Sequence, residues 1–223
     1  MDKIQKKELI SKIETEAKKY FVGASGCHDW THVERVRALA LHIGKKEKAD
    51  LFIVEAAALL HDIGRKEEMA NKGKICHAEK GAEISKDILK KYKLSQDQIE
   101  NIFHCIQAHR SRNSHIPTTL EAKVIFDADK IDSIGAIGAA RAFLFAGSAG
   151  SNNLYTGNEK RLADDGKDYS YTREDSSLLE YYKKLRFIYK KILTKEGKKI
   201  AKGRQEFMHG FFKRFNQEIK GII

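Results

Sequence analysis

Residues 51 to 60, Leu-Phe-Ile-Val-Glu-Ala-Ala-Ala-Leu-Leu, contain one charged residue and run straight into His61-Asp62. A helix that is apolar all round has no face to offer water, so this segment is expected to be buried on all sides, over about Leu51 to Ile63. Gly64 then supplies its stop. The consequence is a histidine and a carboxylate at the end of a core helix. Such a pair can cap the helix, or it can hold one metal ion through two kinds of ligand.

The rest of the chain reads as all-α. It has a single proline, Pro117, and apolar residues recur at helical spacing. Ile4, Ile10, Ile13 and Ala17 with Tyr20-Phe21 predict a first helix that stops near Gly23 to Gly26. A second runs from about Asp29 to Lys48, with Val33, Val36, Ala40 and Ile43 inward. Helices are expected at about His77 to Lys91 and Ser95 to His109, the latter started by Ser95 as N-cap with Gln98 three residues on. Glu121 to Phe145 predicts one long helix in which Gly135 and Gly138 permit close packing. The charged stretch Arg65 to Ile75 has no periodicity and reads as a loop. So does about Gly147 to Asp168, which is long enough for a lid or specificity element. Two C-terminal helices follow, one from about Thr172 to Leu193 and one carrying Ile200, Phe207, Phe211, Phe215 and Ile219.

With 223 residues, 41% of them hydrophobic, the chain is read as one domain with a substantial core. No apolar stretch reaches the roughly 18 residues of a membrane span, and the first residues are polar, which predicts a cytoplasmic protein without membrane attachment. Cys27, Cys76 and Cys105 show no CxxC spacing, so reduced thiols packed beside histidines are expected, not a disulfide framework or a structural zinc site. The net charge of +11 suits an anionic partner. Much of it lies in Lys183-Lys184, Lys190-Lys191 and Lys198-Lys199, where a solvated helix face is favoured over a nucleic-acid groove.

Two further clusters flank the dyad. Upstream stands His28-Asp29-Trp30-Thr31-His32-Val33-Glu34-Arg35-Val36, and downstream Asp127-Ala128-Asp129-Lys130-Ile131-Asp132. His28 and His32 are four apart and share a helix face. Asp127 and Asp129 are about 200° apart on a helix and cannot both face one ion. The order His, His-Asp, Asp resembles the HD-domain superfamily of metal-dependent phosphohydrolases, over about residues 20 to 145. Within it the likeness is to small stand-alone HD hydrolases, which implies an HD-type helical bundle with additional C-terminal helices.

That resemblance places the metal ligands at His32, His61, Asp62 and Asp129, with His28 supporting them. Cys76-His77-Ala78-Glu79-Lys80-Gly81-Ala82 and Phe103-His104-Cys105-Ile106-Gln107-Ala108-His109 resemble the segments that carry a second metal in some members, with Asp62 bridging. His104 and His109 lie about 140° apart on a helix, so a straight helix would not direct both to one ion, and His109 is favoured over His104. Imidazole with carboxylate suits Mn, Fe, Co, Ni or Zn, and Mg is also admitted.

For catalysis Asp62 is expected to orient the water. Arg65 and Lys66 are candidates to clamp a phosphate, and Glu67 or Glu68 to take a proton. Some family members carry a glutamate where Arg65 stands, so the usual base cannot be transferred. Arg35 and Lys130 are candidate substrate contacts. Asp132 reads as a supporting carboxylate or an ion-pair partner, and Arg141 as a structural ion-pair partner or a contact to a remote part of the substrate.

The expected activity is hydrolysis of a phosphate ester or anhydride in a nucleotide or small phosphorylated metabolite, in its sharper form as a nucleoside triphosphate pyrophosphohydrolase. A cyclic-nucleotide phosphodiesterase is the alternative enzyme. Arg110-Ser111-Arg112-Asn113-Ser114 lacks the Gly-Tyr-Pro triplet of cyclic-dinucleotide members. A non-catalytic module that binds a nucleotide or RNA is the alternative class, and homo-oligomer formation is left open.

Overall fold

The structure, a computed structural model, describes residues 2–24, 27–71, 74–110, 115–148, 151, 153–169 and 172–223. The expected stop at Ser25-Gly26 and the segment 111–114 lie outside the described residues. Among the described residues every regular element is helical, as the periodicity predicts, and no helix is long and apolar enough to cross a membrane. Two compact units result, one built mainly from residues 1–24, 28–129 and 193–197, the other from 130–192 and 198–223.

The first unit contains α1 (Lys3–Lys18), α2 (Trp30–Glu47), α3 (Leu51–Leu60), α4 (Arg65–Ala70), α5 (His77–Leu89), α6 (Gln96–Ala108) and most of α7 (Leu120–Asp132). The apolar helix α3 lies at its centre, packed against α1, α2, α5 and α6. Ala56, Ala57, Ala58, Leu59 and Leu60 are all shut off from solvent. Ile13, Val33, Val36, Ile43, Ile102 and Ile106 complete the core around it. The start of α6 follows the sequence reading: Ser95 Oγ accepts from the Gln98 amide at 3.3 Å and Gln98 Oε1 accepts from the Ser95 amide at 3.2 Å.

Two predicted boundaries are corrected in this unit. The apolar helix ends at Leu60, so His61 to Gly64 form a turn. Arg65 to Ala70, expected as loop, is helical, because the turn at Gly64 starts a new helix whose Glu68 amide reaches the Gly64 carbonyl at 3.3 Å. Glu67 and Glu68 fall in its first turn, where the helix dipole favours acids.

In the second unit α8 (Gly135–Ser148), α9 (Glu159–Asp164), α10 (Ser177–Lys183), α11 (Ile188–Lys191) and most of α12 (Lys195–Ile219) surround aromatic side chains. Phe212 is fully buried, stacks on Tyr181 with centroids 4.1 Å apart, and lies near Phe143, Phe211 and Phe215. This accounts for the aromatic stripe of the last helix as core in part, with Phe207 left exposed. The long helix expected over 121–145 is broken into α7 and α8. Gly135 has φ +83, a left-handed conformation that glycine adopts without strain. A side chain at Gly138 would stand 2.2 Å from the Ser133 carbonyl oxygen, so this glycine admits a tight turn instead of a helix neighbour. The segment from Thr172 is likewise not one helix, since α10 and α11 are separated by a 3-10 turn over Leu185–Phe187. The stretch read as a long loop carries the short helix α9.

One backbone contact controls how α5 reaches the dyad. A Cβ on Gly64 would lie 2.4 Å from the His77 carbonyl oxygen and 2.7 Å from the Gly81 amide. Main chain therefore packs directly on main chain, and α5 begins beside His61-Asp62. We expect Gly64→Ala to lower unfolding free energy by about 2 kcal/mol, as overpacking against backbone does, and to displace His77. Urea unfolding of the two proteins checks this, and equal midpoints would show that the contact yields freely.

Candidate metal centre

The end of α3 delivers His61 and Asp62 to a buried point in the first unit. His61 is held by its own helix, since its Nδ1 lies 2.8 Å from the Ala58 carbonyl oxygen. A carbonyl can only accept, so Nδ1 carries the proton and Nε2 presents a lone pair. His32 arrives from the first turn of α2, where Asp29 is the N-cap and accepts from the His32 amide at 3.2 Å. His32 Nε2 stands 3.2 Å from His61 Nε2, 3.5 Å from Asp129 Oδ1 and 3.5 Å from Asp62 Oδ2. These are the four residues that the resemblance implies. His28, just before α2, adds Nδ1 at 3.3 Å from Asp62 Oδ2.

A second group forms on the other oxygen of the same carboxylate. His77, the first residue of α5, and His109, at the end of α6, place their Nε2 atoms 3.1 Å apart. They lie 3.3 and 3.5 Å from Asp62 Oδ1. His77 Nδ1 is 2.8 Å from Glu68 Oε2, and His109 Nδ1 is 2.6 Å from the Ile106 carbonyl oxygen. His109 Nδ1 therefore carries the proton; His77 Nδ1 faces both Arg110 Nη1 at 3.0 Å and the closer Glu68 carboxylate, which can only accept and so favours the proton there, and with both rings so arranged and neutral neither Nε2 can donate. Asp62 Oδ1, buried, accepts no hydrogen bond. Three lone-pair atoms thus converge with no proton between them. Two donors at about 2.1 Å from one ion would sit roughly 3.0–3.4 Å apart, close to the 3.1–3.5 Å among the three atoms of the second group and to the 3.2 and 3.5 Å from His32 Nε2 to its neighbours, while His61 Nε2 stands 3.8 Å from Asp62 Oδ2. The donor set fits a divalent cation at each oxygen of Asp62, with His32, His61 and Asp129 around one and His77 and His109 around the other.

Electrostatics agree with that fit. Burial opposes ionisation of Asp62, yet Arg65 and the surrounding imidazoles hold its carboxyl well below the usual carboxylate range. Burial pushes His61 down to about 4, and burial with Arg65 pushes His77 far below an ordinary histidine. Neutral imidazole and ionised carboxylate are the forms that bind metals.

The other candidates divide. Arg65 joins the site, with Nε 3.3 Å from Asp62 Oδ2 and Nη1 2.8 Å from Glu68 Oε2. Lys66 is exposed and its Nζ donates to the Val22 carbonyl at 3.3 Å. Arg35 donates to Thr31 Oγ1 at 3.1 Å, one turn back on α2. His104 faces elsewhere: its Nε2 accepts from the Thr118 amide at 3.0 Å. Lys130, half-buried, follows Asp129 on α7. Asp127 is an architectural residue, accepting from the Leu193 amide, the Thr194 amide and Thr194 Oγ1 at 2.9, 2.7 and 2.6 Å. Asp132 and Arg141 form a buried ion pair at 2.6 Å.

Sequence reasoning missed the roles of Glu68 and Arg110. Glu68 was weighed only as a base, whereas it is buried between Arg65, Arg110 and His77. Arg110 stands next to His109 in sequence, a weak signal that only its ion pair to Glu68 makes meaningful.

Comparison with known proteins agrees in fold and in family. A family profile described as HD domain matches residues 29–134. The chain is similar to the uncharacterized protein YpgQ of Bacillus subtilis, 32% identical over 222 residues and covering 97% of each chain. The crystal structure of Bacillus subtilis YpgQ in complex with ADP superimposes with a TM-score of 0.73 at 29% identity, covering 97% of this chain and 98% of that one. An HD-superfamily hydrolase from Bacillus thuringiensis superimposes with a TM-score of 0.69 at 28% identity, covering 96% and 98%.

Two outcomes follow from the geometry. Asp127→Ala should cost about 3 kcal/mol, because three donors lose their acceptor, while metal content per chain stays at the wild-type value; a drop in metal content would return Asp127 to the ligand set. The metal-free protein should lose stability in mild acid. The unfolded chain protonates His61 near pH 6.5, whereas the folded one does so near pH 4, so stability is complete above the first value and declines toward the second. Between pH 7 and 5 this histidine alone accounts for about 2 kcal/mol. Urea midpoints measured with chelator at the two pH values test it, and identical midpoints would contradict a buried neutral His61.

Proposed function

The chain belongs to the HD-domain family of hydrolases, and from that premise we propose that it is a metal-dependent phosphohydrolase acting on a nucleotide. The observation that carries this reading is the division of one buried carboxylate between two sets of histidine nitrogens. His32, His61, Asp62 and Asp129 would hold one divalent ion, and Asp62, His77 and His109 a second. A divalent cation in such a site lowers the pKa of water and neutralises charge on phosphoryl oxygens.

The chain's own residues supply position and charge. Asp62, with one oxygen toward each histidine set, orients the attacking water. Arg65 is anchored on Asp62 and Glu68 while a fifth of its side chain stays exposed, so its guanidinium can turn a remaining N–H toward a phosphoryl oxygen. Water loses a proton to solvent as it adds to phosphorus, the bond to the leaving oxygen breaks, and that oxygen takes up a proton from solvent, so that protons balance. The nucleotide as substrate class rests on the ADP held by the YpgQ crystal structure and on this chain's net charge of +11. A nucleoside triphosphate cleaved to release pyrophosphate is the sharper form. Arg35 and Lys130 are retained as contacts for parts of the substrate beyond the reacting phosphate, and Arg65 is preferred over Lys66 as the clamp.

The test is an assay of metal-depleted protein resupplied with Mn, Co, Ni, Mg or Zn, against nucleoside mono-, di- and triphosphates and cyclic nucleotides. Release of phosphate or pyrophosphate should require metal, and Asp62→Ala should reduce kcat at least about 100-fold, beyond the usual loss on removing a group that only supports a ligand. No turnover of any of these nucleotides, or full activity in the variant, would overturn the proposal.

A further inference from the structure

Glu68 is a buried carboxylate that touches neither set of converging nitrogens directly, yet three charged or ligating side chains end on it. Its Oε2 takes the His77 Nδ1 proton at 2.8 Å and receives Arg65 Nη1 at 2.8 Å, while its Oε1 pairs with Arg110. Two guanidiniums and an imidazole N–H ending on one carboxyl group favour its charged form. An ionised glutamate in this position has two physical effects. It fixes the His77 ring with the proton on Nδ1, which leaves the Nε2 lone pair facing Asp62 Oδ1 at 3.3 Å. It also offsets two permanent cations: Arg65 is 3.3 Å from Asp62, and Arg110 Nη1 is 3.0 Å from His77 Nδ1.

Without that negative charge, both guanidiniums would repel a cation beside His77, Arg110 most directly, since its Nη1 is 3.0 Å from that ring. The histidines of the other set do not depend on Glu68. His61 is oriented by the Ala58 carbonyl, and His32 enters from the start of α2. We propose that Glu68 is the positioning residue of the second pocket, so that binding of a divalent cation by Asp62, His77 and His109 depends on Glu68 while binding by His32, His61 and Asp129 does not. The inference rests on the two-ion reading of the site. It adds to that reading a residue that discriminates between the two ions.

Glu68→Gln keeps the size of the side chain and an acceptor for His77 but removes the charge; Arg110→Gln removes one cation and leaves the glutamate on His77. Calorimetric titration of metal-depleted proteins with Mn, with elemental analysis of the loaded samples, reads both ions separately. The wild type should take up two ions, the tighter held by the four residues His32, His61, Asp62 and Asp129 and the weaker by the three residues Asp62, His77 and His109. In Glu68→Gln the tighter ion should bind as in the wild type and the weaker one at least about 10-fold more weakly, the range found on losing a partner of a metal-bound histidine. In Arg110→Gln the weaker ion should bind no less tightly than in the wild type. Equal affinities for both ions in Glu68→Gln would overturn the inference and leave the two-ion reading standing. Equal loss of the weaker ion in both variants would show structural damage and also overturn it. A single ion in the wild type would remove the two-ion reading itself, and the inference with it.

Discussion

A carboxylate that must stay ionised at the end of a largely buried helix needs partners that favour its charged form, and the first unit is arranged to gather them. Two charges 4 Å apart interact by about 4 kcal/mol at the effective dielectric of a protein, and more strongly as water is excluded. Asp62 has Arg65 at 3.3 Å and imidazole nitrogens at 3.3 to 3.8 Å on both oxygens. His61 and His77 are neutral at ordinary pH because the same burial that strengthens the field drives their pKa values down. The one guanidinium reaches Asp62 at Oδ2, which leaves Oδ1 without a hydrogen-bond donor, and a divalent cation is a group that both a carboxylate and imidazole lone pairs accept.

Helix ends, not helix faces, do the positioning. His61 follows the last residue of α3, His32 sits in the first turn of α2, His77 opens α5 and His109 closes α6. Chain ends of helices have unsatisfied main-chain groups that can grip a side chain, and each grip selects a tautomer: the Ala58 and Ile106 carbonyls hold His61 and His109 through Nδ1. Where no carbonyl is available, at His77 on a helix start, a carboxylate from α4 takes its place. The direct contact of Gly64 with α5 main chain is what allows that helix start to come so close to the dyad.

The helices of the first unit were legible because each carries a long apolar repeat and a recognisable start, as with Val33, Val36, Ala40 and Ile43, or Ser95 and Gln98. Errors fell where local signals compete. Arg65 to Ala70 is helical although it has almost no apolar residue, because its partners are charged: Glu68 is buried by ion pairs, which hydrophobic periodicity does not register. The break between α7 and α8 was misjudged since Gly135 and Gly138 fit equally well into a packed helix and a tight turn, and the positive φ of Gly135 is a property of the folded backbone. At the site, the resemblance in motif order implied His32, His61, Asp62 and Asp129, and helix angle showed that Asp127 and Asp129 cannot both face one ion.

By itself the sequence determined an all-helical chain with an apolar helix leading into His61-Asp62, while which histidines and acids gather there was implied by the resemblance of its motifs. Those properties depend on neighbours within a few residues, where helix periodicity and capping act. Tertiary structure alone decided that Asp62 turns one oxygen to each histidine set, that His109 and not His104 faces it, and that Glu68 lies between Arg65, Arg110 and His77. Such choices depend on distances between residues far apart in the chain. A carboxylate becomes a metal-bridging or ring-orienting group only when packing removes water and leaves particular partners within hydrogen-bond reach.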